Sequence, residues 1–203
     1  MHLTRSLTLG WAALASVGLA GCPAAHPNAV PRSQGSANAA PTTYPRGPYH
    51  YRKGTPGAPY ARQALPDPSC TPGATNPAVT QADIGSTICA RGWTSKIRPP
   101  ESYTEPLKRA ALKAYGQAGP LGAYELDHLV PLELGGAPSD ARNLWPEPDN
   151  HPSAYYLNSK DRVEDQLRSA VCEHRVSLAA ARSAIAADWE MAETSLRVQP
   201  AQR

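Results

Sequence analysis

Four polar side chains interrupt apolar or loop-forming sequence at spacings that could bring them into one site. Asp127 and His128 stand together within an apolar run, Asn143 follows 15 residues after His128, and Asn158 follows after another 15. Imidazole can take a proton from water near neutral pH, and Asp and Asn supply the oxygen ligands that hold divalent cations. A base beside a cation is suited to hydrolysing a phosphodiester bond. These side chains therefore predict a metal-assisted phosphodiester hydrolase.

The surrounding pattern predicts the elements that position these side chains. Residues 123–134 begin as a strand, although Pro131 argues against a simple central strand. A glycine-rich loop, a short extended piece over 143–146 and a helix from near Ser153 to Glu173 follow. A last helix begins after Ser177 and would bury a stripe that ends at Trp189. The order strand, loop, strand, helix predicts an α+β protein.

Two further segments precede the motif. Thr104 is a plausible N-cap, and Gly116 a plausible stop, for a helix between them. The stretch 94–97 is predicted to be extended.

The motif itself poses one difficulty, because neighbouring residues on a regular strand face opposite sides. Asp127 and His128 can serve one site only if the chain leaves strand geometry there.

The motif resembles that of a known family. Glu125-Leu-Asp-His-Leu-Val-Pro-Leu-Glu-Leu-Gly-Gly136, followed by Arg142-Asn-Leu-Trp-Pro146, is similar to the HNH endonucleases of the ββα-metal (His-Me finger) superfamily. The resemblance is specific over 124–146 and extends more loosely to Trp189. It implies a small ββα-metal core with additional flanking α-helices. Because no recognition module accompanies the motif, we expect low sequence specificity toward nucleic acid.

The resemblance also implies a role for each matching residue. His128 matches the general base that activates water, and Asp127 matches the metal-ligand carboxylate. Asn143 matches the residue that helps to orient the histidine and fixes the loop. Asn158 is the choice for the second metal ligand, with His151 as its rival.

The implied cofactor is a divalent metal ion, Mg²⁺ or Mn²⁺ before Zn²⁺, Ni²⁺ or Ca²⁺. Lys160 is counted with the catalytic residues because its ammonium could contact a phosphate. Other basic residues are candidates for a phosphate-facing patch: Arg91, Lys96, Arg98, Lys108, Arg109, Arg142 and Arg162.

The N-terminal third of the chain has a different composition. Residues 1–21 carry a positive start and an apolar core, which predicts a secretory signal. The run Leu19-Ala20-Gly21-Cys22 resembles the bacterial lipobox, which implies lipidation of Cys22 and a membrane anchor outside the cytoplasm. Residues 22–69 contain ten prolines and predict a disordered tether. The folded domain is then 70–203, with its motif core over 123–173.

Charge and cysteines add two constraints. The net charge is +3, but residues 70–203 hold 14 basic and 16 acidic side chains, so the domain itself is slightly acidic. This excludes a uniformly basic nucleic-acid coat protein. Export favours a disulfide among the cysteines that remain after Cys22, namely Cys70, Cys89 and Cys172, and the sequence leaves the pairing open.

Three functions follow from this reading. The first is a monomeric, metal-dependent nuclease that acts on DNA in preference to RNA. The second is a non-catalytic envelope lipoprotein that uses a degenerate HNH fold as a binding or structural module. The third is a secreted effector nuclease directed against competitors.

Overall fold

A computed structural model of the protein describes residues 44, 47–56, 58–59, 63–151, 153, 155–156 and 158–198. Within these residues the chain is α+β, as predicted, with two small antiparallel sheets and several helices. The strands are β1 (Arg52–Lys53), β2 (Ala64–Leu65), β3 (Tyr124–His128) and β4 (Leu144–Pro148). The α-helices are α1 (Trp93–Ile97), α2 (Glu101–Ala114), α3 (Ser159–Cys172), α4 (Leu178–Ala187) and α5 (Ala192–Ser195).

The motif folds as a β-hairpin with a long connection. Strands β3 and β4 pair antiparallel, with Asp127 opposite Trp145 and His128 opposite Leu144. Two short 3-10 helices, Leu132–Leu134 and Ala141–Asn143, lie within the connection. This confirms the strand predicted at the motif and the extended piece that follows. Prolines are tolerated in β4 because a two-stranded sheet leaves one edge of each strand unpaired.

Several helix boundaries differ from the prediction. Helix α2 begins at Glu101, directly after Pro100, and contains Pro106; the missing N–H of that proline costs one helical hydrogen bond and does not end the helix. Helix α3 begins at Ser159, because the N–H of Asn158 donates to the carboxylate of Asp161, 3.0 Å away. The extended stretch predicted over 94–97 is wrong, since these residues belong to α1.

The main core lies between the C-terminal helices and the hairpin connection. The predicted stripe on α4 is confirmed, and its side chains are at most 2% exposed: Leu178, Ala181, Ile185 and Trp189. Helix α4 ends at Ala187, two residues before Trp189, which begins a short 3-10 helix. Val130 and Leu134 of the connection pack in the same cluster as Val163 and Leu167 of α3. The packing therefore fixes the hairpin connection against α3.

The N-terminal arm, defined as the described residues between 44 and 69, packs on the domain. The Tyr44 hydroxyl donates to the carbonyl oxygen of Leu144 at 3.1 Å, and the Tyr51 hydroxyl donates to that of Pro146. The Tyr51 ring lies 5.2 Å from the Tyr115 ring and 6.0 Å from the Trp145 ring, centroid to centroid. This differs from the disordered tether predicted over 22–69, because the tyrosines supply apolar area that a proline-rich composition conceals.

A disulfide joins Cys89 to Cys172, and Cys70 is a buried free thiol. The predicted disulfide among the three cysteines of the domain is confirmed, and the structure supplies the pairing. Among the described residues, no helix has the length and apolar character needed to cross a membrane. The predicted signal at 1–21 and Cys22 lie outside the described residues.

Candidate hydrolytic site

The hydrogen bonds of His128 fix its tautomer. Nε2 of the ring lies 3.0 Å from the carbonyl oxygen of Pro138, in the hairpin connection. A carbonyl can only accept, so in the neutral ring Nε2 carries the hydrogen and Nδ1 keeps its lone pair. Among the described residues no side chain or backbone group hydrogen-bonds to Nδ1. His128 is only 6% exposed as a residue, yet its basic nitrogen Nδ1 has no hydrogen-bond partner in the part of the chain that the structure describes.

Burial also sets the charge of this ring. It lowers the pKa of His128 to about 4, and the positive charges of Arg98 and Lys160 act in the same direction. The negative charge of Asp127 and the bond to Pro138 oppose the shift without cancelling it. The imidazole is therefore neutral at physiological pH, which is the state in which Nδ1 can accept a proton.

Asn143 holds the hairpin connection closed. Its Oδ1 accepts from the N–H of Val130 at 2.9 Å, and its Nδ2 donates to the carbonyl oxygens of Val130 at 2.9 Å and Ala137 at 3.1 Å. The side chain is fully buried. None of these hydrogen bonds reaches the ring of His128, so they act on the ring through the loop, which carries the accepting carbonyl of Pro138. These bonds tie the loop to Asn143, and a role of Asn143 in orienting His128 stays a prediction.

Gly136 is required by the same closure. A Cβ on this residue would lie 1.7 Å from the carbonyl oxygen of Val130 and 2.7 Å from Nδ2 of Asn143. Gly135, before it, has a φ of +71°, a left-handed conformation that favours glycine. The Gly-Gly pair of the motif is thus explained by one close approach and one positive φ.

Lys160 is the central cation of the site. Its ammonium lies 2.8 Å from Oδ2 of Asp127 and 2.9 Å from the carbonyl oxygen of His128, and it also contacts the carboxylate of Glu164. Lys160 is fully buried. The sequence predicts that this ammonium contacts a phosphate, but in the structure its charge is buried and is not presented to a ligand. Instead it joins the start of α3 to the end of β3.

The protonation of this cluster follows from burial and neighbouring charges. Burial alone would lower the pKa of Lys160, but Asp127, Glu164 and Glu147 outweigh it and raise that pKa. Burial alone would raise the pKa of Asp127, but Lys160 outweighs it and lowers that pKa. Burial raises the pKa of both Glu147 and Glu164 well above the usual value. The ion pair of Lys160 and Asp127 is therefore charged.

Asn158 braces the start of α3. Its Nδ2 donates to Oε2 of Glu125 at 3.2 Å, and its Oδ1 accepts from the N–H of Asn150 at 3.2 Å. The side chain is fully buried. The rival, His151, is exposed with a φ of +45°, and the described part of the chain gives it no hydrogen bond. The structure therefore places Asn158 in a bracing network and His151 at the surface.

Asp127 and Asn158, the predicted metal ligands, have polar partners within the protein. Mg²⁺ and Ca²⁺ need several oxygens converging at about 2.0–2.6 Å. Oδ2 of Asp127 already accepts from Lys160 and, at 3.0 Å, from the indole N–H of Trp145, and Asn158 directs its amide to Glu125 and Asn150. Within the described residues, no group of three or more His, Cys, Asp or Glu side chains is placed to hold a metal ion.

Sequence reasoning missed three partners of the site. The sequence predicts that Trp145 is a core residue, and no sequence pattern indicates that its indole N–H donates to Asp127. Glu147 is buried in β4, where a carboxylate is unexpected. Glu164 could have been found, because it stands four residues after Lys160 on the same helix. No protein-family model, curated protein or solved structure matches the chain.

Proposed function

We propose that the chain is a phosphodiester hydrolase of the HNH nuclease type, in which His128 takes a proton from the attacking water. The single observation that supports this most directly is the bond between Nε2 of His128 and the carbonyl oxygen of Pro138. It holds one tautomer and leaves Nδ1 as the base, and the low pKa keeps that base unprotonated at neutral pH. A histidine retained only for packing would not need its basic nitrogen left unbonded.

The proposed reaction is an in-line displacement at phosphorus. Nδ1 of His128 takes one proton from water as the water oxygen forms a bond to phosphorus. The bond from phosphorus to the 3′ oxygen breaks, and the departing oxygen takes a proton from bulk water. The protonated imidazole then returns its proton to solvent, which its low pKa favours.

Arg98 is the cation proposed to hold the scissile phosphate. It directly follows α1, is exposed, and lies close enough to His128 to help lower the pKa of the ring. The described residues give its guanidinium no hydrogen bond. Guanidinium groups bind phosphate oxygens in a bidentate manner. Arg98 can therefore neutralise charge on a phosphate that approaches Nδ1.

The proposal also covers the fold, the substrate and the cellular location of the chain. The chain order of β3, β4 and α3 supports the proposal of a ββα core. The substrate is nucleic acid, DNA in preference to RNA, and the chain works as an exported monomer anchored through lipidated Cys22.

Labelling cells with radioactive palmitate tests the lipid anchor. Label in the wild-type chain and its loss in Cys22→Ser are expected, and equal label in both contradicts it.

One observation favours the second candidate, a non-catalytic envelope module. The ion pair of Lys160 and Asp127 occupies the carboxylate that the HNH resemblance assigns to the metal. A fold that had lost its metal and its activity could carry such a pair as a structural link. The two candidates differ in whether His128 turns over substrate.

Plasmid nicking separates them. Purified full chain is incubated with supercoiled plasmid, and in parallel with RNA, with and without added Mg²⁺ or Mn²⁺. We expect nicking by the wild type and a loss of about 10²-fold or more in His128→Gln, which keeps a side-chain donor for Pro138. His151→Gln, an exposed-loop control, should cut as the wild type does. Absence of nicking, or equal nicking by His128→Gln, would refute the nuclease proposal.

A further inference from the structure

We infer that the ammonium of Lys160 takes the place of a divalent cation beside Asp127, so that this site is built to work without bound metal. The consequence for catalysis rests on the function proposed above. The occupancy of the cation position does not, because it can be measured on a protein with no activity.

The hydrogen-bonding capacity of Lys160 is fully used. An ammonium has three N–H donors, and the structure provides an acceptor for each: Oδ2 of Asp127, the carbonyl oxygen of His128 and Oε1 of Glu164. The side chain is 0% exposed. A lysine at a protein surface keeps its charge in water, whereas this one is committed to internal acceptors.

The position of Lys160 on its helix supports a dedicated role. It is the second residue of α3, at the helix end where the macrodipole is positive and a cation is disfavoured. Removing an ammonium from water is also costly unless acceptors replace the lost hydration. Asp127 and Glu164 offset both effects. The buried lysine is therefore specified by the surrounding acids and not by the helix.

The contacts of Lys160 match what a metal would do for this hairpin. It neutralises the carboxylate of Asp127, and it holds the backbone carbonyl of His128, the residue whose ring acts as base. The indole N–H of Trp145 occupies a second direction around Oδ2 of Asp127. A divalent ion on the same oxygen would face a fixed positive charge 2.8 Å from that oxygen. Lys160 is thus a positioning residue that fixes Asp127 and His128.

Removing the lysine should create the metal site that the wild type lacks. In Lys160→Ala, the oxygens of Asp127 and Glu164 and the carbonyl of His128 lose their shared cation and surround the vacated volume. These are hard oxygen donors of the kind that Mn²⁺ and Mg²⁺ accept. Lys160→Arg keeps the positive charge and should not gain metal.

The experiment is a Mn²⁺ titration of the full chain, followed by electron paramagnetic resonance of free Mn²⁺. We expect no stoichiometric binding by the wild type at submillimolar Mn²⁺, one bound ion in Lys160→Ala, and none in Lys160→Arg. One ion bound to the wild type and lost in Asp127→Asn would overturn the inference. If Lys160→Ala does not fold, the wild-type titration still decides.

The nicking assay adds a second readout. If the wild type cuts plasmid, its rate should change less than twofold after exhaustive dialysis against EDTA. A loss of tenfold or more that Mg²⁺ restores would also overturn the inference. A wild type that neither binds Mn²⁺ nor cuts would leave the resident-cation inference standing and refute the nuclease proposal, so the two failures are distinguishable.

Discussion

Trp145 donates its indole N–H to Oδ2 of Asp127 across the β-hairpin, with a nitrogen–oxygen distance of 3.0 Å. The two residues are direct cross-strand neighbours, and Trp145 is fully buried. The bond explains how a carboxylate can sit among apolar side chains in β3. It also connects the site to the N-terminal arm, because the Tyr51 ring packs edge-on against Trp145.

Replacing Trp145 with Phe should therefore destabilise the fold. The variant loses a hydrogen bond to a charged group, which contributes about 1.5–3 kcal/mol, in addition to some packing. Urea unfolding at pH 7 measures the change in the free energy of unfolding. The matched control is Trp93→Phe, because Nε1 of Trp93 is buried with no hydrogen-bond partner in the described part of the chain. An equal loss in both variants would show that packing, and not the bond to Asp127, is responsible.

The titration of His128 should make stability depend on pH. Its pKa is about 4 in the folded protein and near 6.5 when unfolded, so the unfolded chain binds more protons between these values. Its contribution is therefore present above pH 6.5 and lost as pH falls toward 4. The loss is about 3 kcal/mol.

The contribution of His128 has to be measured as a difference between two proteins. Burial raises the pKa of Glu125 and of Glu133 to about 7, and these carboxyls titrate in the opposite sense over the same range. Comparing wild type with His128→Gln at each pH removes their effect. The stability advantage of the wild type should shrink from pH 7 to pH 4. A constant difference would contradict the depressed pKa.

Gly136→Ala should be among the most damaging single-methyl changes in the molecule. The added Cβ would lie 1.7 Å from the carbonyl oxygen of Val130, so the loop closed by Asn143 would have to open. The expected cost is on the order of 3 kcal/mol. Gly122→Ala is the control, because its Cβ would meet nothing within 4 Å. Thermal unfolding of both variants tests this, and similar melting temperatures would count against the close approach.

A chain that begins at Cys70 should be much less stable than one that begins at Gly35. The shorter chain loses the Tyr44, Tyr49 and Tyr51 rings and exposes Tyr115 and Trp145, which those rings cover. Circular dichroism during heating should show a cooperative transition for the longer chain, and a broadened or much lower one for the shorter. Superimposable transitions would mean that the N-terminal arm contributes no stability.

The hairpin could be predicted from sequence because its signals are local. An Asp-His pair within an apolar run, two glycines and a proline specify a strand, a tight loop and a return strand. The residues that contact Asp127 and His128 could not be predicted in the same way. The contact between Lys160 and the carbonyl of His128 joins residues 32 positions apart, and burial of a lysine is decided by three-dimensional neighbours.

The packing of the N-terminal arm on the domain could not be predicted from sequence either. Its composition is that of a disordered linker, and only a few tyrosines contradict it. Whether those rings find a surface depends on Tyr115 of the turn after α2 and Trp145 of β4 being adjacent, which no local pattern reveals. The predicted start of α2 near Thr104 is wrong for a related reason. Pro106 is tolerated inside the helix because Leu107 and Ala111 are buried in the core and hold the helix in place.

Asn143 gives the hairpin one more rung than its strands supply. Its own carbonyl accepts from the N–H of Leu129 at 2.8 Å, and its side-chain amide then pairs with both the N–H and the carbonyl of Val130, as a neighbouring peptide unit would. The side chain is thus a surrogate peptide that continues the ladder beyond His128. That histidine is consequently an interior residue of the hydrogen-bonded ladder, not a frayed end. A carboxylate at position 143 would lack the donor half of this pairing and would leave the carbonyl oxygen of Val130 without this partner.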